Sequence, residues 1–221
     1  MINVIAIDGP TSSGKSSVGF LFSQTIGYQF IDTGLIYRMA ALLVLRHKLL
    51  LNESDKIAEV LAAAKLEFKN NQLGNRVYLN EHDVTDLLHS PKVTKIVADV
   101  AAMSKVREIA KVIQRRLGEK ENTVMMGRDI GSEIFPEAKL KFIITATVET
   151  RARRRYEQML HKGLKITYEQ ILEEVKERDL KDSTRKVSPY RIPAGAIIID
   201  TSDKTIEESA AELLKYFNEN H

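Results

Sequence analysis

Along most of this 221-residue chain, short runs of apolar residues alternate with stretches in which apolar positions recur every third or fourth residue. The first run, residues 4–7, predicts a strand that opens into a glycine-rich loop. After it, Val18, Leu21, Phe22 and Ile26 recur at helical spacing until Gly27 supplies a stop. Residues 28–31 predict a second strand, with a turn at Asp32, Thr33 and Gly34 and a long apolar helix over about 35–46. A further helix is expected to begin near Asn52, whose side chain can cap free amides with Asp55 three positions on. Residues 123–126, 140–144 and 196–199 are short and apolar enough to be buried parallel strands, with helical stretches between them. The last helix opens on a capping box, Thr205 with Glu208. Its expected buried face is Ile206, Ala210, Leu213, Leu214 and Phe217.

This alternation predicts the α/β class. One interval departs from it: residues 66–69 and 76–79 flank a polar turn and read as a β-hairpin inserted beside the main sheet. No repeat, low-complexity tract or Gly/Pro/Ser linker marks a boundary, so one domain with insertions is expected.

Composition narrows the function classes. Cysteine is absent, which removes disulfides and thiolate metal ligands and suits a reducing compartment. The N-terminus lacks the features of an export signal and no segment is apolar for the length of a membrane span. A soluble cytoplasmic protein is therefore expected, with no membrane partner. Net charge is only +3, aromatics make up 6% and tryptophan is missing, so a nucleic-acid partner is not expected.

The strongest chemical signal is Gly9, Pro10, Thr11, Ser12, Ser13, Gly14, Lys15, Ser16, a complete G-x-x-x-x-G-K-[ST] loop between a predicted strand and a predicted helix. Phosphates carry more charge than a few side chains can neutralise without crowding. Such a loop instead turns successive backbone amides inward at a helix N-terminus. Lys15 is expected to reach the β- and γ-phosphates of ATP, and the Ser16 hydroxyl to complete the coordination of Mg²⁺. The loop fixes the donor and leaves the reaction open; the guanine-reading N-K-x-D tetrad is missing.

Two clusters follow predicted strands and so belong at the same sheet edge: Asp32, Thr33, Gly34 with Tyr37 and Arg38, and Gly127, Arg128, Asp129, Ile130, Gly131. Guanidinium forks can bring an acceptor phosphate up to an anionic ATP, and a carboxylate can accept from a base amino group. Singly, each residue is more readily a surface ion pair or a cap. Jointly they favour a site.

The loop through Ser17, the Asp32-Thr33-Gly34 and Tyr37-Arg38 segments, Val106-Arg107-Glu108, Gly127 to Gly131, Phe135-Pro136 and Glu177-Arg178-Asp179 together resemble bacterial cytidylate kinase, over nearly the whole chain and in order. The resemblance implies a P-loop NTPase-type parallel sheet flanked by helices, with a core over about 1–65, 100–148 and 188–221. It also implies a nucleotide-binding insertion over about 66–99 and a mobile helical lid over about 149–187. It implies transfer from MgATP to CMP or dCMP by a monomer. Thr33, Arg107 and Asp129 would face the cytosine, Arg178 and Asp182 the pentose, and Arg38, Arg128 and Arg185 the acceptor phosphate. Lys15, Arg128 and Arg185 would be the catalytic cations. Two positions depart from the family pattern: Ala98 stands where a small polar residue is usual, and Met126 where an acid is usual. The second leaves Ser16 and phosphate oxygens as the expected direct metal ligands.

From Glu149 the chain reads Thr150, Arg151, Ala152, Arg153, Arg154, Arg155. A helical stretch then runs to Glu177, followed by Arg178, Asp179, Lys181, Asp182 and Arg185. Because acids alternate with the bases, a lid that brings cations to the transferring phosphoryl is favoured over an RNA-binding stripe, with Arg154 on the ATP side. The five histidines lack metal-ligand spacing. Two alternatives stay open here: a P-loop kinase for UMP, AMP or shikimate, and a nucleotide- or RNA-binding module without catalysis.

Overall fold

The computed structural model describes residues 3–71, 74–185 and 187–220. Strand β1 (Val4–Asp8) leads into α1 (Lys15–Ile26), and β2 (Gln29–Asp32) into α2 (Gly34–His47) and α3 (Ser54–Ala63). A small antiparallel unit follows, β3 (Leu66–Asn71), β4 (Gly74–Leu79) and β5 (His82–Asp83), then α4 (Thr85–Leu88), α5 (Pro91–Ala102) and α6 (Ser104–Gly118). Strand β6 (Thr123–Gly127) ends just before a π-helical turn at Ile130–Ile134. The chain then passes through β7 (Leu140–Thr145), a hairpin of α7 (Val148–His161) and α8 (Tyr168–Thr184), β8 (Ile197–Asp200) and α9 (Ile206–Glu219).

The main sheet is parallel, in the order β2-β6-β1-β7-β8. Its strands are near-continuous apolar runs because helices cover both faces. Successive side chains point to opposite faces: Ile5 and Ile7 enter the core shared with α1 and α9, while Ala6 enters the one shared with α2, α5 and α6. Register then sets the position of the site. Asp8 pairs with Gly127, and Asp32 with Met126, so the loops after β1, β2 and β6 leave the sheet at one edge.

Several elements differ from the sequence expectations. Asn52 does not cap α3; the residue before that helix is Glu53, whose carboxylate accepts from Leu50 N (2.8 Å) and pairs with Lys56. A carboxylate one position from the helix satisfies the preceding turn and leaves Asn52 exposed. The β3–β4 hairpin is longer than expected, pairing as far as Asn71 with Gly74, and its two apex residues lie outside the described residues. Strand β5 is absent from the sequence expectations, because two polar residues carry no periodic signal. In α9 the Thr205–Glu208 capping box forms and Ala210 and Leu213 are buried, but Ile206, in the first turn, is 43% exposed.

The α7–α8 hairpin has its own small core of Ala152, Met159, Ile171 and Val175, separate from the two cores beside the sheet. Thr147 caps α7 by accepting from Thr150 N (3.2 Å), Gly163 takes a left-handed φ of 73° after α7, and a Thr167–Gln170 capping box starts α8. No helix among the described residues is long and apolar enough to cross a membrane.

Candidate active site

The loop between β1 and α1 is shaped by close backbone packing. A Cβ on Gly9 would lie 2.1 Å from Ile144 O, so only glycine lets the loop pass β7. Ser12 (φ 57°) and Gly14 (φ 84°) take left-handed conformations that curl the loop into α1. Among the described residues no side chain caps α1 and no acid lies in its first turn, which leaves its amides free for an anion. Lys15 Nζ donates to Pro10 O (2.9 Å) within the loop. Burial and the nearby Arg128 guanidinium push its ammonium down to about 7, partly opposed by Asp32, Asp182 and Asp8.

Ser16 and Ser17 are exposed at the helix start, facing a cleft of about 1090 Å³. Arg154, from α7, reaches the far side of the loop and donates to Thr201 Oγ1 (3.0 Å) and Thr201 O (2.6 Å); Thr201 in turn donates to Ser13 O (2.9 Å). The residue that follows β8 thus ties α7 to the phosphate loop.

Across the cleft, Arg107 of α6 pairs with Asp129 in a buried contact and donates to Ala101 O (3.2 Å), with its guanidinium 5.2 Å from the Tyr37 ring centroid. Burial raises the Tyr37 phenol to about 12, so it stays protonated beneath that cation. Thr33 Oγ1 donates to Met126 O (2.8 Å). Arg38 is turned toward α4 and α5 and donates to Leu88 O (2.9 Å) and Thr94 Oγ1 (3.1 Å).

Three guanidinium groups converge on Asp182. Arg128 Nε donates to it at 2.8 Å, Arg178 Nε at 3.4 Å, and Arg185 Nη1 stands 3.6 Å away. Arg128 Nη1 also donates to Gly9 O (2.8 Å), which links this cluster to the phosphate loop, and Arg185 lies 3.8 Å from Asp129.

The cleft holds an excess of cations. Burial lowers the pKa of Arg38, and Arg155 and Arg178 lower it further while Asp32 opposes them. Burial also lowers Arg155 and Arg185, the latter with help from Arg107. Mutually repelling, partly desolvated guanidinium groups make a site that gains by receiving an anion. Burial raises Asp32 against the pull of Lys15, and raises Asp8 to about 7. Asp8 accepts from Ile130 N (2.9 Å) and Gly131 N (2.8 Å), which fixes the turn after Asp129 to the end of β1.

Most residues singled out in the sequence line this one cleft: Thr11, Ser12, Gly14, Lys15, Ser16, Ser17 and Arg154 on one side. Thr33, Arg38, Arg107, Arg128, Asp129, Arg178, Asp182 and Arg185 line the other. Three do not. Gly9 gives its carbonyl to Arg128, Pro10 faces a different cavity, and Ser13 is buried, with no partner for its hydroxyl among the described residues. The sequence reading names Arg155 only within the arginine run and misses Thr94, Thr201 and Lys204; all four line the cleft. Thr201 directly follows a parallel strand, so the strand-end rule is its signal. Ala98 and Met126, the two departures from the family pattern, line the cleft as well.

A cytidylate kinase family profile matches residues 5–219. The chain is similar to the cytidylate kinase of Caldanaerobacter subterraneus subsp. tengcongensis, at 43% identity over 100% of this chain and 98% of that one. It is similar to the cytidylate kinase of Bacillus subtilis at 39% identity, covering 96% and 94%. Among solved structures it resembles the shikimate kinase of Bacteroides thetaiotaomicron, with a TM-score of 0.51 at 13% identity and 99% coverage of each chain, a likeness of fold alone. With a phosphate loop and an arginine-rich rim on one cleft, and relatives of this identity along its whole length, the chain belongs to the cytidylate kinase family.

Proposed function

We infer that this protein transfers the γ-phosphoryl group of ATP to CMP or dCMP, giving ADP and CDP or dCDP. The observation that carries the reading is the single cleft in which an uncapped helix N-terminus and Lys15 face the guanidinium groups of Arg38, Arg128, Arg178 and Arg185. Two polyanions fit such a cleft better than one.

In this reading the backbone amides of the loop from Gly9 to Ser16 hold the donor's β-phosphate, and Lys15 takes up a proton as the phosphates arrive and spans toward the γ-phosphoryl. Arg154 lies on the ATP side. Arg107, Asp129 and Thr33 form the base-reading wall, where a guanidinium and a carboxylate together match an acceptor nitrogen and a neighbouring amino group. Asp182, held by three arginines, accepts from the pentose. Arg128, Arg185 and Arg38 screen the acceptor phosphate and steady the charge that spreads over the transferring phosphoryl. The attacking atom is already a phosphate oxygen, so no general base is assigned. Water exclusion falls to the α7–α8 hairpin, which protects the phosphoryl from hydrolysis.

Among the described residues no cluster of three acidic or histidine side chains is placed to hold a metal by itself, which suits an ion that arrives on the nucleotide. The exposed Ser16 hydroxyl, a hard oxygen donor, fits as its protein ligand. Ser16 would hold Mg²⁺, which when bound would supply positive charge against the phosphates.

We assign the core to about 1–65, 100–148 and 188–221, the acceptor arm to about 66–99 and the lid to about 149–187. We assign the enzyme as a monomer acting on cytoplasmic nucleotides. A coupled ADP-release assay over CMP, dCMP, UMP, AMP and shikimate tests the reading. Turnover is expected with CMP and dCMP. Acceptor-independent hydrolysis, preference for shikimate, or RNA binding with a steep salt dependence and no turnover would overturn it.

A further inference from the structure

In the sequence Arg151 is one member of an arginine run, yet it is one of the most buried charged residues of the protein, at 3% exposure. Its Nε donates to Ala146 O (3.0 Å), Nη1 to Thr11 O (3.3 Å) and Nη2 to Asp179 Oδ2 (2.6 Å). It therefore touches the end of β7, the phosphate loop and α8 at once. Arg128 has the same design: it donates to Gly9 O in the loop and to Asp182 on α8. Asp179 and Asp182 are three residues apart, on one face of α8. Two guanidinium groups thus each hold one loop carbonyl and one α8 carboxylate.

Other ties here are also polar: Tyr190 N donates to Asp182 O (2.8 Å), and Arg185 lies 3.8 Å from Asp129. The hairpin's apolar core is separate from the others. A cavity of about 460 Å³ has the Arg151–Asp179 and Arg128–Asp182 pairs in one wall and Ile143 and Ile198 of the sheet in another. Asp179 Oδ1 is buried without a partner among the described residues, so the carboxylate holds Arg151 through one oxygen only. Here α8 is fastened to the loop by directional polar bonds and not by close packing, and such bonds transmit a displacement of either side to the other.

We propose that Arg151 and Asp179 are positioning residues that couple the donor loop to the acceptor side of the cleft. Loading the loop with the ATP phosphates sets the Thr11 carbonyl. Arg151 passes that setting to Asp179, and α8 carries it to Arg178, Asp182 and Arg185. Neither residue touches a nucleotide, since neither lines the cleft. The inference rests on the two-nucleotide reading given above.

The test is calorimetric. CMP affinity is measured with and without a non-hydrolysable ATP analogue and Mg²⁺, for the wild type, Arg151→Lys and Asp179→Ala. The analogue is expected to tighten CMP binding about fivefold or more in the wild type and less than about twofold in either variant. kcat/KM for CMP should fall with that ratio, while the analogue's affinity measured alone stays close to wild type. Because Asp179→Ala leaves the buried Arg151 without its carboxylate, Asp179→Asn, which keeps a side-chain oxygen for Arg151, is measured beside it and is expected to lose the coupling while keeping the fold. A wild type without coupling, or variants that keep the wild-type ratio and lose only melting temperature, would overturn the proposal. Absence of turnover with every acceptor would instead defeat the two-nucleotide reading, so the two failures are distinguishable.

Discussion

Arg107 and Asp129 are joined by a guanidinium–carboxylate contact in which both side chains are about 95% buried, and the same guanidinium lies over the Tyr37 ring. α6 supplies one partner and the end of β6 the other, so the pair spans the cleft wall between two elements. A buried pair of this kind costs more to break than it adds by forming, because removing one partner strands the other charge.

Asp129→Asn keeps the shape and removes the charge that holds Arg107. It should raise KM for CMP about tenfold or more, narrow the preference for CMP over UMP, and lower stability by about 3 kcal/mol. Steady-state kinetics with both acceptors and urea unfolding check these outcomes together. Unchanged selectivity would remove the pair from the base-reading wall.

Gly9→Ala would force a methyl into the β7 carbonyl at Ile144, where backbone cannot yield as a side chain tip can. Loss of ATP-analogue binding with about 1–3 kcal/mol of destabilisation is expected. Gly27 supplies the contrast: it ends α1 at φ 70°, and a Cβ there would meet nothing within 4 Å, so Gly27→Asn should cost less than about 1 kcal/mol and spare activity.

The difference between these two glycines shows what the sequence can and cannot convey. Gly27 is readable as a helix stop and Gly9 as the first residue of a phosphate loop, because both roles follow from local pattern. That Gly9 also gives its carbonyl to Arg128, and must clear β7, depends on strands more than a hundred residues apart. The same division runs through the rest of the molecule. Buried parallel strands announce themselves as short apolar runs and long helices by period, and the order β2-β6-β1-β7-β8 does not announce itself. Arg38, Arg107 and Arg128 are legible as strand-end or motif cations. Arg151 and Arg155 are hidden in a run of like residues, because burial, and not identity, separates Arg151 from the exposed Arg153.

Lys15 should take up a proton when nucleotide binds. Its pKa is pushed down to about 7 in the free protein, so above that pH the amine is largely neutral, and arriving phosphates restore its charge. Calorimetry at pH 8 in buffers of different ionisation enthalpy should register uptake approaching one proton per ATP analogue. The signal should vanish near pH 5.5 and in Lys15→Met.

Asp8 predicts a pH dependence of folding. Its pKa is raised from 3.8 to about 7, chiefly by burial, so between those values the native state keeps a proton that the unfolded chain has released. The stability this contributes is fully present below the unfolded pKa and is lost as pH rises through about 7, with a slope of at most about 1.4 kcal/mol per pH unit. From pH 5 to 7.5, wild type should lose about 2 kcal/mol relative to Asp8→Asn in urea unfolding. A parallel dependence in both proteins would place the titration elsewhere.

The most direct test follows the phosphoryl group itself. With ATP labelled at the γ-phosphate and CMP as acceptor, the label should appear as the β-phosphate of CDP, with one ADP per CDP, and Lys15→Met should abolish the transfer. Label released as inorganic phosphate at a rate indifferent to CMP would contradict the account.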